Sequence, residues 1–122
     1  MLLHSFYEIV ATEIGSEDVQ GATFRIRINA DSPIYKAHFP GRPITPGACM
    51  LQIVEELAQV CFADTTLHIH EVKNAKFLSL LEPQDHPFVD VLLKGNRAQF
   101  SVELSADSIC FAKMTLITSE AV

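Results

Sequence analysis

Along Gly21–Ala30, Phe24, Ile26 and Ile28 alternate with Arg25 and Arg27, the period of two that marks a half-buried antiparallel strand. Phe6–Gly15 is apolar-rich and reads as a strand or a short element leading into one. The stretch "DSPIYKAHFPGRPITPG" (31–47) holds too many prolines for a helix or a central strand, and a long ordered loop is expected. Pro46 and Gly47 then open a helix, because proline's missing N–H costs nothing in a first turn. From Ala48 to about Phe62, Met50, Leu51, Val54, Leu57, Ala58 and Cys61 follow helical spacing, and most of this helix should be enclosed. After a turn at Ala63–Thr66, strands are expected within 67–81, 87–95, 98–105 and 108–119. The turns between them fall at Glu82–Pro87, Gly95–Asn96 and Ser105–Asp107.

The order is strand, strand, one buried helix, then three or four antiparallel strands. A curved sheet wrapped around the helix would bury both, and its open edges would call for a second subunit. The length of 122 residues suits one domain, 1–122, with a single core. With 48% apolar and 20% charged residues, the composition is that of an ordinary globular protein. No apolar run approaches the roughly 20 residues of a membrane span. The opening "MLLHSFYEIV" has no basic start or small-residue cleavage site, so a cytoplasmic location without a signal peptide is expected. A formal charge of −6 argues against general nucleic-acid binding. Cys49, Cys61 and Cys110 show no metal-ligand spacing and read as buried free thiols.

The chemistry concentrates in His38–Glu56, "HFPGRPITPGACMLQIVEE". Prolines restrict the loop, so His38 is offered in few orientations. Gly47 lets a substrate carbonyl approach the backbone of a helix start, whose N–H groups and dipole favour developing negative charge. His38, Phe39, Pro40, Gly41, Pro43, Ile44, Pro46 and Gly47 together resemble the signature of the 3-hydroxyacyl-(acyl-carrier-protein) dehydratases. The stretch "VKNAKFLSLLEPQD" is similar to that family more weakly. The resemblance implies an α+β hot-dog fold, a curved antiparallel sheet wrapped around one central helix. It implies dehydration of a 3-hydroxyacyl thioester on acyl carrier protein to the trans-2-enoyl thioester. His38 would be the base, Gly47 N–H would polarise the carbonyl, and the Ile44 carbonyl would orient the imidazole, with Phe39 and Ala48 beside the substrate. No cofactor or metal is implied. The acyl chain would run between the subunits of a homodimer, or of a trimer of dimers, with the histidine of one facing the acid of the other.

One position departs from the family. The acid expected fourteen residues after His38 is replaced by Gln52, and Glu56 stands where the family has glutamine. An amide cannot titrate. Residues four apart share a helix face about 6 Å along the axis, so Glu56 is the candidate acid, its pKa raised by desolvation, with Gln52 as positioner. Glu55 points about 100° away. The alternatives are a degenerate site that only binds acyl chains or acts as a scaffold subunit, and a thioesterase on the same fold. His68 and His70 share one strand face, but no third metal ligand accompanies them. Lys36, Arg42, Lys94 and Arg97 are candidates for a basic rim that would dock an acidic carrier protein.

Overall fold

The computed structural model describes residues 1–15, 21–37, 41 and 43–118. His38, Phe39, Pro40 and Arg42, on which several expectations rest, lie outside the described residues. The alternating segments form β1 (Tyr7–Ile14), β2 (Gly21–Ile28), β3 (Ile69–Phe77), β4 (Phe88–Gly95), β5 (Gln99–Ala106) and β6 (Ile109–Thr118). The helix opened by Pro46 is α2 (Gly47–Cys61), and a short α1 (Pro33–Ala37) precedes it.

α1 corrects the reading of 31–47 as loop throughout. Pro33 occupies the first helical position, where its missing N–H removes no bond. Ser32 completes the turn, its carbonyl accepting from Tyr35 N–H at 3.1 Å and its hydroxyl from Ile34 N–H at 3.4 Å.

The strands make one antiparallel sheet in the order β1-β2-β4-β5-β6-β3. Register places Phe24 beside Val91, Val91 beside Leu104, and Leu104 beside Ala112, an apolar row across four strands. These residues are buried in one cluster with Met50, Ile53, Val54, Leu57 and Ala58 of α2. Full burial of each large aliphatic side chain is worth about 1.5–3 kcal/mol before entropy is counted, so the sheet and α2 hold each other in place. Arg25 and Arg27 face solvent, as the alternation requires.

The hairpins carry their own chemistry. Asp107 (φ 49°) and Ser108 (φ 68°) supply two consecutive left-handed residues between β5 and β6, the tight turn that matches strand twist. Gly95 (φ 131°) admits no side chain, because a Cβ there would lie 2.6 Å from the Gln99 carbonyl oxygen.

The two edges differ. Among the described residues β3 pairs only with β6; it is irregular around Asn74 (φ 54°) and exposed from His70 to Phe77. Val72, Phe77, Leu78 and Leu80 line this edge and its continuation as exposed large apolar side chains. Among the described residues, no helix is long and apolar enough to cross a membrane.

Candidate active site

α2 starts directly after Pro46, whose extended backbone (φ −63°, ψ 147°) enters the helix without a side-chain cap. The Pro46 carbonyl accepts from Cys49 N–H (3.0 Å) and Met50 N–H (3.2 Å). The N–H groups of Gly47 and Ala48 have no acceptor among the described residues, and no acidic side chain stands in the first turn. Among the described residues, two donors and the positive end of the helix dipole therefore stand without an acceptor. A Cβ on Gly47 would meet the Phe77 ring, with its nearest atoms at 3.2 and 3.3 Å. Phe77, half-exposed at the end of β3, thus walls this helix start. Strand alternation carries no signal that would single out its ring.

The approach to Gly47 is stiffened by more than proline. The buried Tyr35 hydroxyl and Thr45 Oγ1 are hydrogen-bonded at 2.7 Å. Thr45 N–H donates to the Leu81 carbonyl at 2.8 Å, and Phe6 stacks on Tyr35 with ring centroids 5.2 Å apart. Burial pushes the Tyr35 phenol up to about 12, so it stays a neutral hydroxyl near pH 7. These contacts fix the backbone around the half-buried Ile44. Sequence reasoning missed both residues, because nothing local links positions ten apart in an irregular segment.

Glu56 is 3% exposed, yet its carboxylate is filled by donors. Leu2 N–H reaches Oε2 at 2.8 Å and Oε1 at 3.1 Å, and Leu3 N–H reaches Oε1 at 2.8 Å. The Tyr7 hydroxyl donates to Oε1 at 3.2 Å and Gln52 Nε2 to Oε2 at 2.8 Å. Burial pushes the carboxyl up, but the bonds from Leu2, Gln52, Leu3 and Tyr7 together outweigh it and hold Glu56 below its ordinary value. The direction is the reverse of the desolvated acid expected from the sequence, because the helix face was legible and its long-range donors were not. Tyr7 moves the other way: burial first, then the Glu56 charge, raise its phenol, so it remains a donor.

The structure brings Gln52 and Glu56 together and separates the other candidates from them. Glu55 turns to the start of β3, accepting from Ile69 N–H at 2.9 Å with His68 Nδ1 at 3.3 Å. His70 is exposed, and among the described residues no cluster of metal-ligating side chains forms. Cys49, Cys61 and Cys110 are free thiols and half-buried rather than buried. Arg97 is spent on Asp64 through Nε (2.7 Å) and Nη2. Hydrogen bonds from Thr66 and Arg97 pull that carboxyl down to about 2. Arg97 therefore drops out of the basic rim, Arg42 lies outside the described residues, and Lys36 and Lys94 are exposed.

The profile of the ApeI-like family, described as ApeI dehydratase, matches residues 14–114. The chain belongs to the ApeI-like dehydratase family. Its curated relatives include the 3-hydroxyacyl-(acyl-carrier-protein) dehydratases FabZ of Rickettsia africae (strain ESF-5) and Rickettsia massiliae (strain Mtu5). Each is 27% identical over 78 residues, covering 58% of this chain and 54% of the relative. The chain thus spans about half the length of the curated relatives it matches. Among solved structures, the dehydratase heterocomplex ApeI:P from Xenorhabdus doucetiae superposes with a TM-score of 0.72 at 18% identity, covering 92% of this chain and 96% of that one. The dehydratase domain of the polyketide PpsC from Mycobacterium tuberculosis gives 0.69 at 18% identity, covering 93% and 44%. The fold is the hot-dog fold, a sheet around one central helix, as the motif implied. Within this ApeI-like chain, the open helix start and the Gln52–Glu56 pair are the features to test.

Gly47→Ala should fold, since the half-exposed Phe77 ring can shift by the few tenths of an ångström required, with the thermal midpoint moving by a few degrees at most. The same methyl narrows the helix start, and a loss of roughly 10-fold or more in turnover or ligand affinity is expected; an unchanged value would remove Gly47 from the site. Glu56 makes stability depend on pH. A carboxyl held lower in the folded state contributes stability that is present above its unfolded pKa, about 4.3, and lost as pH falls through the folded value. Glu56→Gln should cost on the order of 2–4 kcal/mol near pH 7, and the gap to the parent should close as pH drops below about 4. Denaturant titrations at several pH values check this, and a gap independent of pH would contradict an ionised Glu56.

Proposed function

We propose that this chain dehydrates a 3-hydroxyacyl thioester to the trans-2-enoyl thioester, the acyl group arriving on an acyl carrier protein. The observation that carries the reading is the uncapped start of α2. There a glycine and two N–H groups with no acceptor among the described residues follow the segment that bears His38. In the proposed step His38 takes the proton from C2, and the electron pair moves toward the thioester oxygen, where Gly47 N–H stabilises the developing charge. The C3–O bond then breaks, and the proton on the imidazolium leaves with the hydroxyl as water. One proton carrier closes the balance, so Gln52 need not titrate. The Ile44 carbonyl orients the imidazole, Phe39 and Ala48 lie beside the acyl group, and Gln52, backed by Glu56, is the polar group at the hydroxyl. The names of the FabZ relatives support an acyl-carrier substrate.

The working unit of this proposal is a homodimer joined along β3, with a trimer of dimers as a compatible larger assembly. An edge strand open on both faces and flanked by Val72, Phe77, Leu78 and Leu80 supports it, since a second copy of the same edge would satisfy its ladder and cover these side chains. A second reading is favoured by Gln52 at the acid's position and by the heterocomplex named among the solved structures. In it the chain is an acyl-binding subunit that pairs with an active partner.

The test is ultraviolet absorbance of the enoyl thioester formed from 3-hydroxyacyl thioesters of several chain lengths. Absorbance should rise with the parent and fall by at least 100-fold in rate with His38→Ala. Flat traces with tight thioester binding would favour the subunit reading, and release of free thiol would mean a thioesterase. Sedimentation equilibrium should give a dimer for the parent and a monomer for Val72→Asp; a monomeric parent would defeat the β3 pairing.

A further inference from the structure

The face of the sheet turned away from α2 carries a groove of about 380 Å³ that the helix-start site does not use. Register sets its residues in two rows across the strands. In the first, Leu92 stands beside Glu103, Glu103 beside Lys113, and Lys113 beside Lys76. In the second, Lys94 stands beside Ser101, Ser101 beside Thr115, and Thr115 beside Lys73. The alternate positions Leu93, Val102 and Met114 are buried in the core with α2, so both rows lie on the outer face. On a regular strand Lys73 and Lys76, three apart, would point to opposite faces. Between them β3 carries two residues, Asn74 and Ala75, where β6 has only Met114, and this bulge returns both lysines to one face.

Charge is distributed unevenly. The chain is formally −6, yet Lys73, Lys76, Lys94 and Lys113 meet on this face, and Lys36 is the one lysine elsewhere. Lys76, Lys94 and Lys113 line the groove and are exposed, with Glu103 the one acid lining it among the described residues. Lys76 and Lys113 stand directly opposite each other, a like-charge pairing that costs stability. Among the described residues none of these three lysines has an ion pair, not even with Glu103.

We infer that this groove binds small phosphorylated molecules, held by the ammonium groups of Lys76, Lys94 and Lys113 with the Thr115 hydroxyl as a further donor. An ammonium group binds phosphate as a compact point charge. Three lysines against one glutamate call for a ligand with at least two negative charges. The groove has the size of a small-molecule site. A flat anionic membrane would meet the acidic remainder of the chain, and none of the exposed large apolar side chains lines the groove to enter it.

The test titrates the full chain with tripolyphosphate in a calorimeter, without any thioester, so its outcome is independent of the reaction proposed above. One site per chain is expected, weakening as salt is raised. Lys76→Gln and Lys113→Gln should each lower affinity roughly 3- to 10-fold, and Glu103→Gln should raise it by a similar factor. Lys36→Gln should leave it within about 2-fold. Amide shifts on binding should centre on Ser101 and Thr115. These side chains face outward from the sheet, so the variants should keep the parent's thermal midpoint within a few degrees. No binding, an equal loss in Lys36→Gln, or shifts centred elsewhere overturns the inference. Lysine-dependent binding to phosphatidylglycerol vesicles without binding to tripolyphosphate would make the face a membrane contact and overturn it too.

Discussion

A single buried carboxylate ties three parts of this protein together. Glu56 sits mid-helix among residues that pack against the sheet, and an ion placed there unaccompanied would cost several kcal/mol. Four donor groups make it tolerable: two backbone N–H groups of the N-terminal segment, the Tyr7 hydroxyl at the start of β1, and the Gln52 amide one turn back along α2. The bonds act in both directions. They keep the charge inside, and they fasten a chain segment with little burial of its own, since Leu2 and Leu3 are only half-buried and Met1 is exposed. Removing the carboxylate would leave Leu2 and Leu3 N–H without their acceptor, so helix, strand and terminal segment share one dependency.

The helix held this way is also the platform of the site. Its buried face, Met50, Ile53, Val54, Leu57 and Ala58, fixes its depth in the sheet. Its first turn has no side-chain cap among the described residues, because Pro46 brings the chain in extended and supplies none. Rigidity of the incoming segment comes from a second, independent pairing, Tyr35 with Thr45, locked to the Leu81 carbonyl and roofed by Phe6. Helix and approach are thus set by different contacts and meet at Gly47, where the backbone has to be accessible.

Period and punctuation made most of this fold legible in the sequence. The alternation around Phe24, Ile26 and Ile28 gave β2 its inner face, the spacing from Met50 to Cys61 gave α2, and Gly95 and Asp107 fell at the turns. Proline count misled at α1, because Pro33 at a first helical position is permissive rather than disruptive. The His38–Gly47 motif pointed to the hot-dog fold and to Gly47, while the part of the motif that holds His38 and Phe39 lies outside the described residues. What the sequence could not carry were contacts between distant positions. Nothing around Glu56 signals that residues more than fifty positions earlier fill its lone pairs, and nothing around Arg97 signals Asp64. The charge of Glu56 was visible, but its direction of titration depends on those partners.

The open edge and the site are not separable features. β3 ends at Phe77, whose ring packs over the position a Gly47 side chain would occupy. The pairing of β3 with β6 holds Phe77 opposite Ala112. Leu78 and Leu80 continue the same exposed apolar strip. The exposed apolar strip of this edge therefore runs up to the wall of the helix start. The Gly47 and Ala48 N–H groups beside it have no acceptor among the described residues. The exposed edge and the helix start thus meet at one side chain, the ring of Phe77.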